Sequence, residues 1–119
     1  VEDKKHLYVL LDFWASWCRP CMGEVPTLLE AYKLYHDKGF EIYGVSLDTN
    51  HETWKNTIEK QGMKWVNVSE LKRFDTKPVE DYAVGAIPCN FLIDCSTGVI
   101  VANNLYGEKV LEKLAELFK

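Results

Sequence analysis

The sequence predicts an α/β fold in which a mixed four-stranded sheet is flanked by helices, in the order β-α-β-α-β-β-α. Two observations carry this prediction. Short, nearly continuous apolar runs are typical of strands buried on both faces. They alternate with segments whose apolar residues recur at three- and four-residue steps, as on the buried side of a helix. A chain of 119 residues is long enough for one compact domain, which we expect over residues 1–119.

The first half of the chain predicts two parallel strands joined through a helix. Residues 7–15 form an apolar run that is typical of a central strand. A helical pattern follows over 19–38, and Pro26 within it should kink the helix. A second strand is predicted over 40–47 and a second helix over 51–61. The crossover through a helix requires the two strands to be parallel.

The second half of the chain predicts a hairpin followed by a terminal helix. Strands over 90–94 and 99–103 are separated by a tight Ser-Thr-Gly turn. Residues 107–118 carry apolar side chains at helical spacing. The intervening segment is mostly irregular, with room for a short strand at 65–68 and with a short helix predicted over 78–82.

Charge and composition exclude several function classes. The net charge of −4 gives no broad basic surface for nucleic acid or an anionic membrane. No apolar run approaches the roughly 18 to 20 residues that span a bilayer. The chain starts at Val1 rather than Met, so we expect a trimmed N-terminus. Any membrane attachment would then come through an N-terminal anchor that has been removed.

A pair of cysteines marks the predicted junction of the first strand and the first helix. Cys18 and Cys21 are three residues apart, a spacing that suits chemistry better than scaffolding. The first turn of a helix presents unpaired N–H groups and a positive dipole end, which favour a thiolate. We therefore expect Cys18 to attack and the more buried Cys21 to resolve the mixed disulfide. Arg19 adds positive charge that favours the thiolate further.

Other uses of the cysteines are weaker interpretations. A structural bond between Cys18 and Cys21 would constrain almost nothing. A zinc site needs about four ligands, and the chain has one Cys-x-x-Cys with no ligand spacing among its histidines. We expect no metal and no cofactor besides a redox-active Cys18–Cys21 disulfide. Cys89 is either a third thiol near Cys21 or a small buried apolar residue, and Cys95 is too distant along an extended strand to bond it.

Three segments carry a resemblance to a known family. Leu11-Asp-Phe-Trp-Ala-Ser-Trp-Cys-Arg-Pro-Cys21 resembles the active-site segment of thioredoxins. Met22-Gly-Glu-Val-Pro-Thr-Leu28 and Gly85-Ala-Ile-Pro-Cys-Asn-Phe-Leu-Ile-Asp94 are similar to the ResA/TlpA branch of bacterial thiol–disulfide oxidoreductases. The resemblance extends over about residues 7–119 and implies a thioredoxin-like fold. The family's N-terminal hairpin is missing or reduced to residues 1–6, which fits either a trimmed chain or one domain of a longer protein.

The resemblance also implies how substrate would be held. Pro88 corresponds to the family's cis-proline, which faces the disulfide across a groove. Ile87 would offer its backbone to an extended substrate segment, as an added strand does. Trp17, Arg19 and Pro20 would lie on the substrate-facing side of the cysteine pair, while Trp14 is more easily explained by core packing.

Two acidic residues complete the predicted site. Asp12 lies six residues before Cys18, where thioredoxins carry a buried aspartate. Burial should raise its pKa, so that it can accept the proton of Cys21 near neutral pH. Glu24 matches a glutamate of the ResA branch and would act as a substrate-side or pKa-tuning group. The plainer alternatives are a hydrogen-bonded core carboxyl for Asp12 and an exposed carboxylate favouring the helix dipole for Glu24.

The predicted function is therefore dithiol–disulfide exchange with protein substrates, as a reductase supplied by an upstream electron donor. The resemblance implies an extracytoplasmic location in the bacterial periplasm, with possible membrane tethering of the full-length protein and a cytoplasmic location still open. We expect a monomer. A peroxiredoxin-related thiol peroxidase is an alternative, but the segment before Cys18 lacks the proline and hydroxyl residues of that class. A non-catalytic thioredoxin-like binding module is the third possibility.

Overall fold

The computed structural model describes residues 7–69, 79, 81–82 and 84–119, and its centre is a five-stranded sheet. The strands stand in the order β3-β2-β1-β4-β5. Their bounds are β1 Tyr8–Trp14, β2 Phe40–Ser46, β3 Val66–Ser69, β4 Cys89–Asp94 and β5 Val99–Asn103. The α/β class and the mixed sheet are as predicted, while the number of strands is five rather than four.

The pairing of the strands places one end of the sheet at the cysteine pair. β1 is parallel to β2, with Tyr8 opposite Phe40, and antiparallel to β4, with Phe13 opposite Cys89. The β4–β5 hairpin is antiparallel, as predicted. Because of these directions, the end of β1 and the beginning of β4 meet at the same edge of the sheet.

The additional strand is β3, which overlaps the short strand at 65–68 and is not among the four strands of the predicted sheet. It has four residues and pairs in parallel with β2, with Tyr43 opposite Val66. Val66 and Val68 are exposed, at 44% and 47%. The four residues do alternate between apolar and polar, but the apolar side is the exposed one, which is the reverse of the usual half-buried strand.

Among the fully described elements, three helices flank the sheet, and a short 3-10 turn extends the first of them. Their bounds are α1 Arg19–Tyr35, the 3-10 turn His36–Lys38, α2 His51–Gln61 and α3 Glu108–Leu117. The helix predicted over 19–38 is therefore continuous but tightens in its last turn, before Gly39 takes a left-handed conformation. The short helix predicted over 78–82 lies largely outside the described residues, of which Val79 and Asp81 are helical.

Alternate residues of β1 face opposite layers of the fold. On one face, Tyr8 packs edge-on against Phe118 after α3, and Phe118 stacks on Tyr35 of α1. On the other face, the ring of Phe13 lies 6.1 Å from that of Tyr82. β1 is accordingly buried on both sides, as its continuous apolar run predicts.

Gly44 in β2 leaves room for a cluster of buried polar atoms. A Cβ atom at this position would lie 2.7 Å from Asn67 Oδ1 and 3.0 Å from Trp14 Nε1. Asn67 cannot swing away easily, because its Nδ2 donates to the carbonyls of Met63 and Trp65 at 2.9 Å. The close approach therefore requires glycine at this position.

We expect Gly44→Ala to lower the free energy of unfolding by about 1–3 kcal/mol, because the methyl group overpacks a fixed neighbour. Urea unfolding followed by circular dichroism measures the change. Gly23→Ala is the matched control: it adds the same methyl group in α1 with nothing within 4 Å. It should raise stability by about 0.5–1 kcal/mol, since alanine is favoured over glycine inside a helix. Equal effects of the two substitutions would contradict this account.

Candidate active site

Cys18 occupies the N-cap of α1, at the end of the short turn that follows β1. Its backbone is extended, and its Sγ accepts a hydrogen bond from the Cys21 N–H at 3.2 Å. Pro20 lies in the first turn, where a missing N–H costs no helical hydrogen bond. Cys18 and Cys21 form a disulfide, with their Cα atoms 5.2 Å apart. The structure thus brings the predicted pair together at a helix N-terminus.

The accessible surface beside the disulfide comes mainly from its neighbours in sequence. Cys18 and Cys21 are 6% and 4% exposed, so the expected difference in shielding exists but is small. Trp17 is 52% exposed, and Arg19 and Pro20 are exposed as well. These three side chains present the solvent-facing rim of the site, whereas Trp14 is in the core.

Asp48 fixes the turn between β1 and α1, a role that the sequence analysis missed. It is 1% exposed and follows β2. Both of its carboxylate oxygens accept from the Ser16 backbone N–H at 3.1 Å, and one also accepts from the Ser16 hydroxyl. The Leu47 N–H adds a hydrogen bond to the Trp14 carbonyl at 2.8 Å. An acidic residue directly after a buried strand, at the same sheet edge as the cysteines, was the available signal.

Asp12 lies in the buried middle of the sheet, opposite Gly44 in β2 and Asn90 in β4. Burial is the larger cause that raises its pKa, to about 7, and the negative charge of Glu24 adds to the effect. A carboxyl with this pKa exchanges its proton near neutral pH. The direction agrees with the sequence expectation.

Glu24 connects α1 to the beginning of α3. Its Oε2 accepts a hydrogen bond from the Gly107 N–H at 2.8 Å, and Gly107 is the N-cap of α3. The side chain is half-buried, so it is not the freely exposed carboxylate of the plainer alternative. Since Glu24 follows Cys21 by three residues, the two lie on the same side of α1.

The segment before β4 carries the cis-proline. The Ile87–Pro88 peptide bond is cis, as the resemblance implied. The ladder between β1 and β4 ends at Phe13 and Cys89, so Ile87 and Pro88 lie beyond it. They extend from the same sheet edge as the cysteine turn. The Tyr106 hydroxyl donates to the Pro88 carbonyl at 2.7 Å, a contact that the sequence analysis did not anticipate.

The other two cysteines lie at opposite ends of β4. Cys89 is half-buried and, with Pro88 and Tyr106, lines an open cavity of about 420 Å³. Burial raises the pKa of its thiol, with a further contribution from Asp12, so Cys89 is a poor nucleophile near neutral pH. Cys95 begins the hairpin turn, where its N–H donates to the Leu7 carbonyl.

Among the described residues, no three His, Cys, Asp or Glu side chains are grouped so that they could hold a metal ion. Within the same residues, no helix is both long and apolar enough to cross a bilayer.

Comparison with known proteins identifies the family. A family model described as thioredoxin-like matches residues 7–100. ResA, a thiol-disulfide oxidoreductase of Bacillus thuringiensis, is 33% identical over 119 residues, covering 100% of this chain and 66% of the relative. The chain therefore spans slightly less than two thirds of that protein.

Solved structures give the same assignment. The thioredoxin domain of a thiol-disulfide oxidoreductase from Bacteroides vulgatus has a TM-score of 0.86 and 39% identity, covering 97% of this chain and 81% of that one. A thiol:disulfide interchange protein from Bacteroides sp. has a TM-score of 0.84 and 39% identity, and the match covers 96% of this chain and 74% of that one. The chain belongs to the thioredoxin-like family and is similar to its ResA-type thiol–disulfide oxidoreductases.

Proposed function

We propose that the chain is a thiol–disulfide oxidoreductase that reduces disulfides in protein substrates. The observation that carries this proposal is the disulfide between Cys18 and Cys21 at the N-terminus of α1, where Cys18 Sγ accepts the Cys21 N–H. The similarity to thiol–disulfide oxidoreductases over nearly the whole chain supports the same reaction class.

The exchange begins with the reduced dithiol. The Cys18 thiolate attacks one sulfur of the substrate disulfide, whose S–S bond breaks as a mixed disulfide forms. Cys21 then attacks Cys18 Sγ and releases the second substrate sulfur as a thiolate. Two electrons pass to the substrate, and Cys18 and Cys21 become a disulfide. An upstream dithiol donor must restore the reduced pair, and the helix N-terminus stabilises the thiolate during each cycle.

Asp12 would accept the proton that Cys21 loses before its attack. Support comes from its pKa of about 7, which leaves a carboxylate available near neutral pH. Glu24 would tune this step, because its charge disfavours ionisation of Asp12 and its Oε2 is held by the Gly107 N–H.

The substrate would bind between two surfaces at the sheet edge. Ile87 lies beyond the β1–β4 ladder, which leaves it in position to pair with an extended segment. Trp17, Arg19 and Pro20 provide exposed contacts beside the disulfide. Because backbone hydrogen bonds do not depend on the substrate's side chains, this arrangement suits varied protein substrates.

Disulfide exchange of this kind fits an oxidising compartment, so we place the protein outside the bacterial cytoplasm. It would act there as a monomer that receives electrons from a membrane partner. A reduction potential near −270 mV, measured against glutathione, would support a reductase, whereas one near −120 mV would indicate a disulfide donor.

Substitution of each cysteine should block a different step of the exchange. Cys21→Ser should accumulate a mixed disulfide with insulin, because attack by Cys18 proceeds and resolution does not. Cys18→Ser should trap no adduct and should reduce insulin no faster than dithiothreitol alone. Non-reducing electrophoresis and insulin turbidity measure both, with Cys89→Ser as the control expected to keep activity. Rapid peroxide consumption by the reduced protein, without insulin reduction, would instead support a thiol peroxidase.

The Asp12 carboxyl should make the protein less stable as pH rises. Its folded pKa is raised from 3.8 to about 7, so between these values the folded state holds a proton that the unfolded state lacks. Asp12→Asn should therefore be the more stable protein at pH 8, by up to roughly 4 kcal/mol. The difference should shrink steadily towards pH 4, as followed by urea unfolding.

Asp94 supplies a control in which the pH dependence of stability has the opposite sign. Hydrogen bonds from Ser96 lower the pKa of this exposed carboxyl, so its contribution to stability is present at neutral pH and lost below about pH 4. Asp94→Asn should lose stability at neutral pH and none at low pH. A stability difference between Asp12→Asn and wild type that does not vary with pH would refute the burial of an ionisable Asp12.

The rate of substrate release should depend on Asp12, and the midpoint of its pH profile should depend on Glu24. In wild type, the rate at which the mixed disulfide resolves should rise with pH through about 7, as the Asp12 carboxylate forms. Asp12→Asn should slow this step by up to about 100-fold and flatten its pH profile. Stopped-flow fluorescence with a disulfide-linked peptide gives the rates.

Glu24→Gln tests the tuning role without removing a hydrogen-bond acceptor for Gly107. Because the Glu24 charge raises the pKa of Asp12, its removal should move the midpoint of the pH profile downward. An unchanged midpoint would mean that Glu24 does not act on this proton.

A further inference from the structure

The connection between β5 and α3, residues 104–107, touches both sides of the site. Gly107 donates its N–H to Glu24 on α1, the helix that carries the cysteines. Tyr106 donates its hydroxyl to the carbonyl of Pro88, on the opposite side. One short segment is thus hydrogen-bonded to the cysteine helix and to the cis-proline segment.

The Pro88 carbonyl needs a partner from outside the sheet. The β1–β4 ladder ends at Phe13 and Cys89, one residue short of Pro88. Backbone carbonyls that leave a ladder are normally paired with a side chain, another backbone group or water. The Tyr106 hydroxyl meets this need at 2.7 Å. The bond fixes the direction of the peptide plane immediately after the one that joins Ile87 to Pro88.

We propose that Tyr106 is a positioning residue for substrate, holding the cis-proline segment so that the Ile87 backbone can pair with an extended protein chain. The inference rests on the proposed function and adds to it a residue remote in sequence from the cysteine pair. It predicts that the Tyr106 hydroxyl affects the binding of protein disulfides and does not affect the thiol–disulfide exchange step itself.

The 104–107 connection is itself anchored to β4, which makes Tyr106 a fixed donor. The Asn104 N–H donates to the Asn90 carbonyl at 2.8 Å. The Asn90 side chain donates to the Leu105 carbonyl at 2.8 Å and accepts from the Leu105 N–H at 2.9 Å. With three bonds to one residue of β4, the backbone just before Tyr106 cannot drift from the segment it holds.

The surroundings of Tyr106 also keep its hydroxyl protonated. Burial raises its pKa, and the negative charges that Cys89, Glu24 and Asp12 can carry add to the effect. The phenol therefore remains a hydrogen-bond donor throughout the range in which Asp12 titrates. Positioning by Tyr106 should accordingly be independent of pH between 6 and 9.

The test compares Tyr106→Phe with wild type on a protein and on a small disulfide. For insulin, KM should rise about 2- to 10-fold, the effect of one neutral hydrogen bond, while kcat is unchanged. Reduction of the small aromatic disulfide dithiobis(nitrobenzoate) and the reduction potential should stay as in wild type. Tyr8→Phe is the matched control: it removes the same atom at the far end of β1, where the ring packs on Phe118.

A second measurement tests whether the rise in KM comes from weaker pairing between the substrate and the Ile87 backbone. A disulfide-linked peptide is N-methylated at the residue that would donate to the Ile87 carbonyl. Methylation should raise KM for wild type and raise it less for Tyr106→Phe, because the variant has already lost part of that pairing. Equal effects of methylation on both proteins would overturn the proposed route.

The remaining outcomes separate this inference from the proposed function. If wild type fails to reduce insulin, the proposed function fails. If wild type is active and Tyr106→Phe has the same KM, Tyr106 does not position substrate. Equal losses on insulin and on the small disulfide, with a lowered melting temperature, would show a purely structural role and would also overturn the inference.

Discussion

The site depends on one constraint: α1 must begin at the residue where the turn after β1 ends. At that position Cys18 receives the Cys21 N–H, one of the donors that the first turn of a helix leaves without a helical partner. Asp48 holds the turn by accepting both the backbone and the side-chain hydrogen of Ser16. A turn that slipped by one residue would leave Cys18 as an ordinary core thiol.

The charges around this junction act in opposite directions. The helix N-terminus favours negative sulfur, while burial in β1 disfavours negative charge on Asp12. Glu24 strengthens the second effect and is itself held by the Gly107 N–H. The sheet thereby keeps a buried carboxyl whose pKa is about 7, at a cost in stability that an asparagine would not impose.

Local signals predicted most of the fold, and long-range contacts escaped prediction. The helix His51–Gln61 was predicted to the residue because Asn50 caps it and the left-handed Gly62 ends it. The cysteine pair was recognisable for the same reason, since its chemistry follows from adjacent residues. The sequence does not reveal the roles of Asp48 and Tyr106, because their partners lie far away along the chain: Asp48 and Ser16 are 32 residues apart, and Tyr106 and Pro88 are 18 apart.

Strand direction explains how such distant residues form one site. Parallel β1 and β2 end at the edge where antiparallel β4 begins, so Ser16, Asp48 and Pro88 all leave the sheet at that edge. The return of β5 ends there too, which delivers Tyr106 and Gly107 to the same place. β1, β2, β4 and β5 each supply one polar group just beyond their paired residues at this edge. The site is therefore assembled from several strands at one edge of the sheet. Substitutions of residues at this edge can alter the site even where the residue does not contact the cysteine sulfurs.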